Sequence, residues 1–228
     1  MKMIAKNLNK YAISNWGCYK TSITEASKTD KGIPLIKCDL EVYNFDEIVK
    51  DLFPHTDSPS STDGICFQKN SIQLIEFKSG FKQKISKQNF DVEKGTCPRS
   101  KEVCTDYWNM FWENQDRKIC QLVDSIKLKA VESYILLDKK FFTVCEDTET
   151  LYDVVLNVVV DEDGVDGIED ILAEVAESQP DTDNCLISLK KALKRLKKQK
   201  DAEGNDYLYD RIQVYSATEY LRVLETYA

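Results

Sequence analysis

The sequence predicts an α/β fold: a central mixed sheet flanked by helices, with an additional C-terminal α/β lobe. Three observations lead there. Residues 151–160, "LYDVVLNVVV", are apolar on both parities, as a strand covered on both faces of a sheet must be. Two shorter runs, 63–68 and 71–79, read as strands joined by a tight turn at Lys69-Asn70. Segments of helical period alternate with these strands, which is the pattern of helices packed on a sheet. With 228 residues, 42% hydrophobic and 31% charged, the chain has ample apolar material for a core.

Taken in order, residues 1–43 form an N-terminal extension. A core follows over 44–160, with an insertion at 80–116, and residues 161–228 supply C-terminal helices and a strand packed on it. "NFDEIVKDLF" (44–53) predicts a short helix with Phe45, Ile48, Val49, Leu52 and Phe53 on one face. "PHTDSPSST" is a turn-rich loop that closes it. After the hairpin, 80–116 reads as irregular, with a basic stretch "FKQKISK" and an aromatic group "YWNMFW" opening a helix. The long helix is expected over 117–137, where Ile119, Leu122, Val123, Ile126, Ala130, Tyr134 and Leu137 keep the helical period. "FFTVCED" and "LYDVVLNVVVDED" read as strands, "GIEDILAEVAES" and "NCLISLKKALKRLKKQ" as helices, and "YDRIQVYS" as a last strand. Ser216 and Glu219 have the spacing of a capping box that opens the final helix.

Charge and cysteine content narrow the function classes. The net charge is −8, but it is unevenly placed: 14 Asp and Glu with no Lys or Arg fall between Phe141 and Leu189, and seven positive charges crowd 190–200. Apart from these blocks the chain is close to neutral, so its acidity does not exclude a nucleic-acid partner. Eight cysteines without a C-x-x-C pair, and the single histidine His55, lack the ligand spacing of zinc sites; reduced thiols acting as small hydrophobes are expected. "DEDGVDGIEDIL" fails as a calcium loop, because Gly164 and Ala173 fall where oxygen ligands are required. No stretch is apolar for long enough to span a bilayer, so no membrane partner and a cytoplasmic location are expected.

The hairpin carries the functional signal. A two-residue turn at 69–70 pairs 68 with 71 and, by continuation, Asp63 with Glu76. Opposed residues on an antiparallel ladder project to one face with Cβ atoms about 5 Å apart. Lys78, two residues beyond Glu76, shares that face. Two carboxylates at about 5 Å repel by roughly 3 kcal/mol at an effective dielectric near 20. A cation between them removes that cost, and Mg²⁺ or Mn²⁺ suits convergent carboxylate oxygens. Lys78 is placed to orient an attacking water or to steady developing negative charge. The bland alternative is a salt-bridged strand end in which Lys78 neutralises Glu76. Without a cation, Asp63→Asn is expected to raise stability by removing the repulsion.

At these residues, "TDGI" and "LIEFK", the chain resembles the PD-(D/E)XK, or restriction-endonuclease-like, nucleases. The resemblance implies a helix, a β-meander, a helix and a further strand, filled by 44–53, the hairpin, 117–137 and 152–160. It also implies metal-dependent hydrolysis of phosphodiesters, with Asp63 and Glu76 as metal ligands and Asp63, Glu76 and Lys78 as catalytic residues. Thr62 stands where the family motif has proline. Members often draw a further acid from the first helix, for which Glu47 is the candidate, although Glu47 also has the position of an N-cap partner to Asn44.

Lys82, Lys84 and Lys87 follow the motif and are the candidates for contact with a nucleic-acid backbone. The basic run at 190–200 is a weaker one, because its leucine stripe packs. Tyr107, Trp108, Phe111 and Trp112 have helical spacing, which favours core packing or an interface with a protein partner or a second copy over base stacking. Two other function classes stand beside the nuclease: a catalytically silent nuclease-like binding protein, and a protein-interaction module.

Overall fold

A computed structural model of the chain describes residues 6–55, 57–68, 71–79, 103–142, 153–161, 185–197 and 208–226. Within them one mixed sheet has its strands side by side in chain order: β1 (Lys20–Ser22), β2 (Glu41–Asn44), β3 (Gly64–Gln68), β4 (Ser71–Lys78), β5 (Asp153–Val160) and β6 (Arg211–Ser216). The helices are α1 (Lys6–Asn15), α2 (Ile23–Ala26), α3 (Phe45–Leu52), α4 (Val103–Leu136), α5 (Cys185–Lys194) and α6 (Ala217–Glu225). β1 to β4 pair antiparallel, whereas β4–β5 and β5–β6 are parallel. Antiparallel neighbours can be joined by short loops, but parallel ones need a crossover, and α4 and α5 lie in the two crossovers.

The alternation of side chains along each strand sorts the core into two layers. Tyr43, Ile65, Ile72, Leu74, Leu156 and Val158 project to one face and pack with α1, α3, α4 and α5. Val42, Ile75 and Val159 project to the other, under Ile23 of α2 and Tyr220 and Leu224 of α6. The seven residues Val154–Val160 are all buried, as a strand with neighbours on both sides and helices on both faces requires. Trp16 anchors the first layer, edge-on to Tyr43 at 5.8 Å and to Phe141 at 5.1 Å.

The α/β class and the hairpin are as the sequence predicts. The ladder pairs Gly64 with Ile75 and Gln68 with Ser71, which is the expected register. The capping box is present: Ser216 accepts from the Glu219 N–H, and the Glu219 carboxylate accepts from the Ser216 N–H.

Other expectations are corrected. The long helix opens at Val103 rather than at 117, because the polar run 113–118 interrupts the apolar period yet contains no helix breaker. "YWNMFW" therefore lies within α4. Phe141 closes a π-helical turn, Leu137–Phe141, instead of opening a strand; packing against Trp16 overrides the β preference of "FF". The rest of that segment lies outside the described residues, as does the helix expected in "GIEDILAEVAES". Leu52 is exposed although its helix buries Phe45, Ile48 and Val49. The extension before residue 44 supplies β1 and β2 to the sheet, and β6 bonds to β5 in that same sheet.

Candidate functional site

Asp63 is the residue just before β3, and its main chain is fixed first. Its carbonyl accepts from the Phe45 N–H at the start of α3 (3.1 Å). Its side chain then turns across the hairpin, where Oδ2 accepts from the Phe77 N–H of β4 (2.7 Å). That bond satisfies a backbone donor just past the end of the β3–β4 ladder.

Glu76 stands opposite by continuation of the register, on the face that carries Ile72 and Leu74, and is 1% exposed. The hairpin thus delivers two carboxylates to the α4 side of the sheet, near the carboxyl end of β4. The chain leaves the antiparallel meander there for its first crossover. Ligands of open α/β sheets bind beyond such strand ends.

The third member comes from α4. Lys129 Nζ lies 3.0 Å from Asp63 Oδ1 and 2.9 Å from Glu76 Oε2. The side chains of Asp63 and Lys129 are about a quarter exposed (24% and 25%), so the site opens to solvent on their side and closes behind Glu76. Glu76 Oε1 is buried and has no hydrogen-bond partner among the described residues. Lys78 Nζ reaches Ser125 Oγ, one turn before Lys129 on α4, at 3.5 Å.

The same helix holds the segment that leads into Asp63. Thr62 N–H donates to Ser133 Oγ (2.9 Å) and Ser60 N–H to the Glu132 carboxylate. Residues 125, 129, 132 and 133 recur at helical spacing and form a polar seam beside the apolar Val123, Ile126 and Ala130.

The electrostatics follow from burial. Loss of solvent pushes the Glu76 carboxyl well above the ordinary carboxylate range; Asp63 pushes the same way, while Lys129 and Lys78 pull it back. For Lys129, burial disfavours the ammonium, but Glu76 and Asp63 outweigh it and hold the lysine protonated. The two shifts compete, because a protonated Glu76 holds Lys129 less firmly, so these two groups titrate together. Burial and Asp63 outweigh the ammonium at 2.9 Å, so Glu76 keeps its proton well above the ordinary carboxylate range and the charged pair forms as the pH rises through that raised value.

The expected residues fare differently. Asp63 and Glu76 meet as the register requires, with Lys78 beside them. The neutralising cation, however, is Lys129, which the sequence reading did not single out. Its signal was a lysine three residues after Ile126 and one before Ala130, inside the apolar stripe of a helix, flanked by Ser125 and Ser133. Glu47 is half-exposed: its N–H is capped by Asn44 Oδ1 (3.1 Å), and its carboxylate faces Lys50 at 3.5 Å. The other acid of that turn, Asp46, accepts from Ser61 Oγ (3.1 Å), two residues before Asp63, and pairs with Lys50 (2.6 Å). Lys82, Lys84 and Lys87 lie outside the described residues. In α5, Leu189 and Leu193 are buried while Lys191 and Lys194 are exposed, so one face of that helix packs.

A small hard cation fits the donor set in one respect. Mg²⁺ keeps several waters and is commonly held by one or two carboxylates plus substrate phosphates, and here two carboxylates converge with one buried oxygen left over. No group of three His, Cys, Asp or Glu able to hold a metal occurs among the described residues. No helix among them is long and apolar enough to cross a membrane. No protein-family model matches the chain, and no curated protein sequence or solved structure matches it.

Proposed function

We propose that the chain is a metal-dependent nuclease of the restriction-endonuclease-like kind, hydrolysing phosphodiesters in nucleic acid. One observation carries the reading: Asp63 and Glu76 converge at the carboxyl end of β4, and Glu76 is buried with Oε1 unpartnered. An acid is costly to bury unless its charge is used or compensated.

Asp63 and Glu76 would hold Mg²⁺ or Mn²⁺, which when bound supplies polarisation of a phosphoryl oxygen and activation of water. The Phe77 N–H keeps the Asp63 carboxylate turned toward Glu76. Lys78, held by Ser125, brings a positive charge to the same side and steadies the negative charge that develops on the attacked phosphate. The hydrophobic layer behind Glu76 keeps water from the inner side of the pair. Lys82, Lys84 and Lys87 remain the candidate contacts to the nucleic-acid backbone, and the location proposed is cytoplasmic.

A second reading rests on Lys129. An ammonium already bridging both carboxylates is what a catalytically silent nuclease-like binding protein would use in place of a metal. The test is cleavage of single- and double-stranded DNA and RNA with Mg²⁺, Mn²⁺ or EDTA. The nuclease reading expects divalent-dependent cleavage that Lys78→Ala lowers at least a hundredfold while nucleic-acid binding is retained. Binding without cleavage under every condition would point to the silent protein, and neither binding nor cleavage to a protein-interaction module.

A further inference from the structure

We infer that Lys129 is the resident counter-cation of the Asp63–Glu76 pair and that a divalent ion must displace it to bind. The inference rests on the reading of this pair as a divalent-ion site. Its ammonium lies about equally far from the two carboxylates, 3.0 and 2.9 Å, where a cation shared by both would sit. Two cations cannot share that position, because at such separations their repulsion exceeds what either gains from a second contact.

The lysine is also able to leave. A quarter of its side chain is exposed, and its stem is flexible, so the ammonium can swing to solvent while α4 stays in place. Glu76 cannot leave, being held inside the sheet at 1% exposure. The site therefore has a fixed buried acid, a second acid locked by a backbone N–H, and one movable charge. Lys78 does not fill this role: its ammonium is engaged with Ser125.

Competition of this kind sets an affinity threshold. The free energy of breaking the lysine contacts is subtracted from metal binding, so divalent affinity in the native chain is weaker than the two carboxylates alone would give. Removing the lysine side chain's charge should then tighten metal binding while weakening the metal-free fold, the opposite of what loss of a ligand does.

The experiment titrates Mn²⁺ and Ca²⁺ into the full-length wild-type chain, Lys129→Met, Lys129→Gln and Asp63→Asn by calorimetry, with melting curves in parallel. Both Lys129 variants are expected to bind Mn²⁺ at least tenfold more tightly than wild type. Added Mn²⁺ should restore the melting temperature that each has lost, and Asp63→Asn should bind weakly or not at all. Equal or weaker affinity in the Lys129 variants, with wild type binding normally, would overturn the inference and leave the divalent-ion reading standing. No binding by any form would overturn both. Binding by the variants but not by wild type would support the displaced-lysine inference and show the native chain to be silent. A Lys129 variant that folds only once Mn²⁺ is added supports the inference, and one unfolded with and without Mn²⁺ counts against it.

Discussion

At the scale of single residues, Lys129 reverses an expectation drawn from the hairpin alone. Two bare carboxylates would repel, so Asp63→Asn would stabilise. With an ammonium 3.0 Å from Asp63, the lost attraction outweighs the longer-range repulsion that is relieved. Asp63→Asn should therefore cost about 1–2 kcal/mol in metal-free buffer, read as a lower midpoint in urea with an unchanged slope. Glu76 gives a pH signature of defined sign. Its carboxyl in the folded chain takes up a proton more readily than the ordinary value of 4.5 in the unfolded chain. The stability this contributes is fully present below about 4.5 and is lost as the pH rises through the raised value. The metal-free melting temperature should fall from pH 5 to pH 8, and Glu76→Gln should flatten that fall. A wild-type profile that rises over this range, or one that Glu76→Gln leaves unchanged, would contradict the buried-acid assignment. Asp63, Glu76 and Lys78 were legible because period-two alternation and a two-residue turn fix which strand residues meet. Lys129 was not, because its partners are 53 and 66 residues away and only the docked helix brings them together.

At the scale of elements, α4 both covers the sheet and completes the site. Its apolar stripe was readable from Ile126 and Ala130, but its start was not: "ENQDRK" looks like a connection when judged by period, yet is compatible with helix by propensity. The helix is tied near its C-terminal end by Tyr209, a fully buried residue just before β6, whose hydroxyl donates to the Ala130 carbonyl at 2.6 Å. Tyr134 packs edge-on against the same ring at 5.5 Å. Since Ala130 adjoins Lys129, this contact fixes the height of the ammonium over the strand ends. Tyr209→Phe keeps the ring and removes the bond, and should cost about 1 kcal/mol. It should also change the affinity for Mn²⁺, because it loosens the helix beside Lys129. An altered melting temperature with no change in Mn²⁺ affinity would show that the tyrosine supports the fold without positioning the site.

At the scale of the whole molecule, the strands lie in chain order, and β1 and β2 join a sheet whose signal in the sequence came mainly from β3, β4 and β5. Those first strands escaped notice because β1 has three residues and β2 four, too few for a period to show. The antiparallel half is built from neighbours close in sequence and can form early, whereas the parallel half must wait for two crossovers. Asp63 and Glu76 belong to the early half and Lys129 to the first crossover. During synthesis both acids therefore leave the ribosome well before the charge that neutralises them. The hairpin can zip from its turn toward residue 64, but the acids beyond its last rung gain their neutralising charge only when α4 docks. Closure of the acid pair is thus a late step, and Lys129→Met should speed unfolding while leaving the refolding rate nearly unchanged in stopped-flow measurements. A folding arm slowed as much as the unfolding arm is accelerated would place the lysine in the nucleus instead. On the reading proposed for this pair, the order also means that the nascent chain carries both acids long before they are held together, so the divalent-ion site forms only once the first crossover has docked.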